Sequence, residues 1–190
     1  MSKESDHMIV IIGESASGKS TLQNMLIESD PSYQKIVTYT TRPMRDGEVN
    51  GIDYHFVTDA AFEELSKRGF FVEQNAYREW KYGTAKQDCM NAKKKIAVMT
   101  PAGLRALKRE NIDVVSIYLM VDRRSRLIQI LNRGDNIEEA YRRSLSDVGQ
   151  FDGVVDEVNY VIDNANYHMT MDQTLMCLKA ILKAAEKEKA

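Results

Sequence analysis

Cysteine is scarce in this 190-residue chain: Cys89 and Cys177 stand far apart, with no CxxC spacing and no histidine pair beside them. That arrangement offers no thiolate metal site, and both thiols read as reduced bystanders in a cytoplasmic protein. Histidine is nearly as sparse, and His7, His55 and His168 are scattered, so they read as structural or solvent-facing residues and leave no visible metal-ligand set. An excess of one charge is missing too, because 26 Lys plus Arg face 28 Asp plus Glu for a net charge of -2. Nothing general then draws the chain to nucleic-acid polymers or to anionic membranes, and any phosphate recognition must come from local clustering. The polar opening MSKESDH precedes only five consecutive apolar positions, too few for a signal-peptide core or a membrane span. A cytoplasmic location is the expectation. Repeats, low-complexity tracts and linkers are absent from the pattern, and the Lys93 to Lys95 run and the AAEKEKA tail read as solvated surface.

What remains is ordinary globular usage, with 43% hydrophobic and 28% charged residues, enough to bury a core in one compact unit spanning 1–190. Apolar Met8 to Ile12 reads as a buried strand, Gly13 to Gly18 breaks the pattern, and Leu22, Met25 and Leu26 resume it at helical spacing. Ile96 to Met99 is a second short apolar run. Thr100-Pro101 then supplies an N-cap and a first-turn residue for a helix through Glu110. Val114 to Val121 predicts another strand, Asp122 is placed to cap the arginine-rich helix after it, and Tyr160 to Ile162 is a last short strand. Met171, Leu175, Leu178, Leu182 and Ala185 trace one helical stripe, opened by Thr170 and Gln173 at capping-box spacing.

Strands alternating with helices imply an α/β fold, a parallel sheet with helices on both faces. Two segments break that rhythm. Residues 36–85 read as an inserted α+β subdomain, with strands at Ile36 to Thr40, Tyr54 to Val57 and Phe70 to Glu73 around a helix from Asp59 to Arg68 that Gly69 ends. Residues 123–152 read as two arginine-rich helices around Gly134, the second capped by Asn136 and Glu139, and suit a mobile helical lid. The core is then about 8–35, 86–122 and 153–190. Arg124 and Arg126 read as helix-surface charges.

Gly13-Glu14-Ser15-Ala16-Ser17-Gly18-Lys19-Ser20 matches the phosphate-binding pattern GxxxxGK[ST], and it lies between a predicted strand and a predicted helix, as the motif requires. Glycines let the backbone curl until its N–H groups converge on phosphate oxygens at the positive end of the helix. Lys19 can then reach β and γ phosphates, and the Ser20 hydroxyl can coordinate Mg²⁺. Residues Gly13 to Thr21 are the expected ATP-binding set.

The stretch from Thr40 to Val57, TTRPMRDGEVNGIDYHFV, resembles the signature of the guanylate kinase family: TTR, a basic residue three places on, an acidic one three beyond that, then glycine and Y-x-F. With the phosphate loop and the order of strands, the resemblance covers most of the chain. It implies a P-loop kinase fold and transfer of the terminal phosphoryl group of ATP, with Mg²⁺, to GMP and also to dGMP. It further implies that Arg42, Arg45 and Tyr54 hold the acceptor phosphate, a task suited to guanidinium forks. The likeness continues through Phe71-Val72-Glu73 and Tyr82-Gly83-Thr84, with Thr38 upstream, where the family keeps its guanine contacts. Glu73 can accept both N1–H and N2–H of guanine, Thr84 and Thr38 can complement the base, and Tyr82 adds packing and a polar tip.

In the lid, Arg133, Arg142 and Arg143 resemble the family's catalytic arginines, which stabilise charge on the transferring phosphoryl group beside Lys19 and Arg42. Two departures stand out. Ser144 occupies a place where the family commonly has arginine. The strand end Ile96-Ala97-Val98-Met99-Thr100 carries Val98 and Thr100 where the family usually has aspartates that order the Mg²⁺ water shell. Two alternatives therefore stay open: a guanylate-kinase-like binding module without catalysis, and a sister P-loop kinase acting on a phosphorylated sugar. The expected partners are ATP and GMP, with no nucleic-acid polymer and no membrane, and a homo-oligomer is left open.

Overall fold

Five consecutive apolar residues predict a strand covered on both faces, and β1 (Met8–Ile12) is fully buried along its length. The computed structural model describes residues 7–90, 94–132 and 137–188, except the side chains of Tyr77, Glu139, Ala140 and Arg143. Along the chain β1 is followed by α1 (Lys19–Ser29), β2 (Gln34–Lys35), β3 (Tyr39–Thr40), β4 (His55–Phe56), α2 (Asp59–Lys67), β5 (Phe71–Tyr77), β6 (Trp80–Ala85) and α3 (Lys86–Met90). Then come β7 (Lys95–Met99), α4 (Pro101–Arg109), β8 (Val114–Met120), α5 (Arg123–Asn132), α6 (Ile137–Ser146), α7 (Val154–Glu157), β9 (Tyr160–Asp163) and α8 (Met171–Glu188).

The main sheet runs β2-β7-β1-β8-β9 with every pair parallel, so the chain goes from β1 to the outer β2, returns to β7, and crosses to β8 on the far side. This is the predicted α/β architecture. Its strand order reverses beside β1, which opens a crevice at that strand's carboxyl end. Met8, Val10 and Ile12 share a buried cluster with Leu104 and Leu107 of α4, while Ile9 and Ile11 pack with Leu22 and Leu26 of α1 and Leu178 and Leu182 of α8. Each such side chain stabilises the fold by roughly 1.5–3 kcal/mol on burial. None of the described helices is long and apolar enough to cross a membrane.

Local signals held where their chemistry is local. Thr100 Oγ1 accepts from the Gly103 N–H at 3.2 Å, Asp122 Oδ1 from the Ser125 N–H at 2.9 Å, and Thr170 and Gln173 exchange both capping-box bonds at 2.8 and 3.2 Å. The expected caps Asn136 and Glu139 fall outside the described residues or side chains.

The strand expected from Ile36 to Thr40 forms only at Tyr39 and Thr40, and a separate two-residue strand precedes it. Gln34 and Lys35 pair with Lys95 and Ile96 of the main sheet, whereas Tyr39 and Thr40 join a second sheet ordered β4-β3-β6-β5. Buried Ile36, whose N–H donates to the Ile96 carbonyl at 3.0 Å, anchors the chain where it leaves the first sheet. The strand expected from Phe70 to Glu73 is longer, and it forms a hairpin with β6 that the mixed sequence WKYGTA does not announce.

Gly83 is required on β6, since a Cβ there would lie 2.8 Å from Phe71 Cδ1 and 3.1 Å from Phe62 Cζ, two rings stacked at 4.6 Å. Gly83→Ala is expected to destabilise the protein by about 1–3 kcal/mol through overpacking. A thermal unfolding midpoint equal to that of the wild type would contradict this packing.

Candidate active site

The loop after β1 meets the amino end of α1 at Gly18, whose φ of 95° is left-handed and open to glycine. No side chain caps this helix and its first turn carries no acid, which leaves its positive end available to an anion. The Tyr167 hydroxyl donates to the Ala16 carbonyl and ties the loop to the segment after β9. Lys19 Nζ donates to the Glu14 carbonyl at 2.6 Å. Burial pulls the Lys19 amine down to about 8, against the charges of Asp147 and Glu14 that draw it back up. Ser20 lies exposed beside a hollow of about 80 Å³ that it shares with Ala16, Gly18, Lys19 and Thr21.

Facing the loop, a cavity of about 360 Å³ brings together Gly13, Ser15 and Lys19 with Thr38, Tyr54, Glu73, Tyr82 and Thr84. The β5–β6 hairpin sets Glu73 opposite Thr84, and the Thr84 hydroxyl donates to Glu73 Oε1 at 2.7 Å. Burial raises the Glu73 carboxyl above its usual range, and the bonds from Thr84 and Asn75 oppose that rise. Each oxygen of this carboxylate carries one such bond and keeps a further lone pair, which suits it to a pair of adjacent N–H donors.

A second cleft, of about 330 Å³, joins Ser15 and Ala16 to Arg42, Arg45, Glu48, Tyr54 and Tyr82. Arg42 is buried, donating to Glu48 Oε1 at 2.6 Å and to the Pro43 carbonyl at 2.7 Å, with its guanidinium 5.4 Å from the Tyr54 ring centre. Glu48 Oε2 accepts from the Arg45 N–H at 2.7 Å, so one carboxylate fixes the loop carrying both arginines, while the Arg45 side chain is exposed. Two sets of donors suited to anions thus line adjoining clefts that share Ser15, Tyr54 and Tyr82. That is the arrangement needed to bring a donor and an acceptor phosphate together.

At the end of β7, Val98, Met99 and Thr100 line the first cavity. The Thr100 hydroxyl is engaged as the α4 cap, as its place before Pro101 predicts. Of the arginines expected in a lid, Arg142 is half-buried on α6, whereas Arg133 and the Arg143 side chain lie outside what is described. Ser144 is buried and accepts from Arg123 Nε at 3.0 Å, pinning α5 to α6.

Arg124 is exposed, but the surface reading of Arg126 is corrected: its side chain is only 8% exposed and reaches the phosphate loop. Nε donates to the Val121 carbonyl at 3.1 Å, and Nη1 lies 3.3 Å from both the Ser15 carbonyl and Asp147 Oδ2. Nη2 lies 3.5 Å from Glu14 Oε1. Asp147 itself accepts from the Ser15 N–H at 2.9 Å. Glu14 also accepts from the Tyr118 hydroxyl at 3.0 Å. Asp147, Gln150, Phe151 and Asn75 also line the first cavity, and no motif in the sequence marks them. The only signal available for Asp147 and Arg126 was their polarity at positions one turn inside or just past a helix.

The guanylate kinase family model matches residues 5–185 of the chain. The guanylate kinase of Rickettsia felis is 32% identical over 188 residues, covering 96% of this chain and 95% of that protein. That of Nostoc sp. is 31% identical over 172 residues, covering 88% and 86%. The crystal structure of guanylate kinase from Anaplasma phagocytophilum matches with a TM-score of 0.69 at 26% identity, over 98% of this chain and 89% of that one.

The lowered Lys19 value fixes the sign of a pH dependence. Above about 8 a growing fraction of the free protein carries a neutral amine, and an arriving polyphosphate must then restore the proton. Affinity for ATP is therefore expected to fall as pH rises past about 8, and Lys19→Met is expected to abolish that slope while weakening binding about tenfold or more. Calorimetric titrations between pH 6.5 and 9.5 measure both, and a flat wild-type profile would contradict the assignment.

Proposed function

The chain belongs to the guanylate kinase family, and on that premise we propose that it transfers the γ-phosphoryl group of ATP to the phosphate of GMP, and also of dGMP, giving ADP and GDP or dGDP. One P–O bond forms to an oxygen of the acceptor phosphate as the bridge between the β and γ phosphates of ATP breaks. No general base is needed, since the acceptor oxygen is already anionic, and positioning with charge neutralisation carries the reaction. The observation that supports the acceptor most directly is the Glu73–Thr84 pair in the cavity that opens onto the phosphate loop.

In this reading residues Gly13 to Thr21 bind ATP, with Lys19 on its β and γ phosphates. Arg42, Arg45 and Tyr54 hold the GMP phosphate, and Glu73, Thr84, Thr38 and Tyr82 read the base. Arg42 also acts with Lys19 on the transferring group. Arg142, with Arg133 and Arg143, supplies lid charge. The acceptor unit spans about 36–85 and the lid about 123–152, on a core of about 8–35, 86–122 and 153–190. Reading the base and phosphate but not the sugar is what admits dGMP.

The exposed Ser20 hydroxyl beside its small hollow is a hard oxygen donor of the kind Mg²⁺ takes, and Mg²⁺ needs few protein ligands because it keeps several waters. Bound with ATP, Mg²⁺ would neutralise charge on the β and γ phosphates. With Val98 and a cap-engaged Thr100 at the β7 end, no strand-end carboxylate holds its waters. We propose a correspondingly high Mg²⁺ requirement and a cytoplasmic enzyme.

ADP release with GMP, dGMP, AMP, UMP and a phosphorylated sugar as acceptors tests the reaction. Turnover confined to GMP and dGMP is expected. Turnover with the sugar phosphate alone, or with no acceptor at any Mg²⁺ concentration, would refute it. Glu73→Gln is expected to cut kcat/KM for GMP by about 30-fold or more, the worth of a hydrogen bond to a charged group. Because the Glu73 value is raised and only the carboxylate can accept both guanine donors, wild-type GMP affinity should be lost as pH falls through it, and the glutamine variant should lack that loss.

Val98→Asp and Thr100→Asp, the latter still able to cap α4, are each expected to lower the Mg²⁺ concentration giving half-maximal ADP release. Half-saturation at low Mg²⁺ in the wild type, unchanged in both variants, would mean another group orders the metal's waters.

A further inference from the structure

The phosphate loop holds an anion that belongs to the protein. The Asp147 carboxylate accepts from the Ser15 N–H at 2.9 Å and from the Ser15 hydroxyl at 3.3 Å, with Arg126 Nη1 at 3.3 Å. A loop amide, a hydroxyl and a guanidinium are the donors a phosphate oxygen would use in the same place. Asp147 follows α6 directly, so this group reaches the loop from the end of the lid.

Arg126 is buried and poorly matched. Its contacts to Asp147 and Glu14, at 3.3 and 3.5 Å, are long for charge-assisted pairs and neither carboxylate is held as a fork, while Lys19 adds a second cation nearby. A buried cation shared between two loose partners retains capacity for a more highly charged anion. Asp147 could not stay beside bound phosphates, because two anions would then share the Ser15 amide.

We propose that Arg126 is a phosphate-contacting residue of the ATP site, and that Asp147 is its internal stand-in, expelled when the polyphosphate enters. This rests on the ATP reading above. Entry exchanges one anion for another on the same donors, and it releases the segment after α6 from the loop. ATP binding is thereby tied to movement at the base of the lid. A static clamp makes the opposite forecast for Asp147: if the pair merely braced the loop, losing either partner would loosen the donors and weaken nucleotide binding.

Calorimetric titration of ADP and of a non-hydrolysable ATP analogue into the wild type, Asp147→Asn, Arg126→Lys and Arg126→Gln separates the two. Asp147→Asn is expected to bind both nucleotides at least about fivefold more tightly, and Arg126→Gln at least about tenfold more weakly, the range for one charge-assisted contact. Arg126→Lys should fall between Arg126→Gln and the wild type. Unfolding midpoints measured alongside identify any variant that fails to fold. If Arg126→Gln is such a variant, the opposite signs of Asp147→Asn and Arg126→Lys carry the test. Equal or weaker binding by Asp147→Asn, or wild-type affinity in a folded arginine variant, would overturn the inference. A wild type that binds neither nucleotide would instead sink the ATP reading itself.

Discussion

The structure turns on a backbone that asks for an anion. Between β1 and α1 the chain curls into a loop whose Ser15 N–H is held by the Asp147 carboxylate, and the first turn of α1 beyond it has no side-chain cap. Amide groups turned inward this way are costly unless they meet a partner, and the helix adds positive potential at the same spot. β1 can carry such a loop because it is paired on both edges and buried along its length. Lys19 is drawn into the same point at the expense of its own basicity, a cost that an incoming polyphosphate would reverse. In the free protein the demand is met from within, by Asp147 with Arg126 behind it.

The second sheet answers this centre from across the crevice. β3 is the hinge of that arrangement, parallel to β4 and antiparallel to β6, so the arginine loop after Thr40 and the Glu73–Thr84 hairpin are held by one short strand. Tyr54 lies in both cavities and borders the face of Arg42, which joins the place suited to a base to the place suited to its phosphate. Glu48 aims Arg42 through their direct bond, and its own carboxyl is held below the usual range by that guanidinium.

Much of this was legible in the sequence where the physics is local. A strand, a glycine loop and a helix can be read from residues 8–29 because each signal acts over a few positions, and the caps at Thr100, Asp122 and Thr170 follow from side chains bonding amides three residues on. Long-range pairing was not legible. Gln34 and Lys35 are exposed and polar, and only the free edge of β7 makes them a strand. Arg126 looked like its neighbour Arg124 in an arginine-rich helix, and burial against the Ser15 carbonyl is a tertiary fact that helical spacing cannot express. Asp147 carried no motif at all. Ser144 departs from the family pattern, yet its use in joining α5 to α6 through Arg123 appears only when both helices are placed.

The central claim is that two phosphate sites and one base-reading pair face each other in a single crevice. A crystal structure with a bisubstrate analogue, adenosine and guanosine joined through a polyphosphate chain, tests it most directly. The account requires the guanine edge on Glu73 and Thr84, the phosphate chain running from the Ser15 and Lys19 donors to Arg42 and Arg45, and the Asp147 carboxylate away from the Ser15 amide. Guanine bound elsewhere, or a phosphate chain that leaves the 13–20 loop empty, would contradict it.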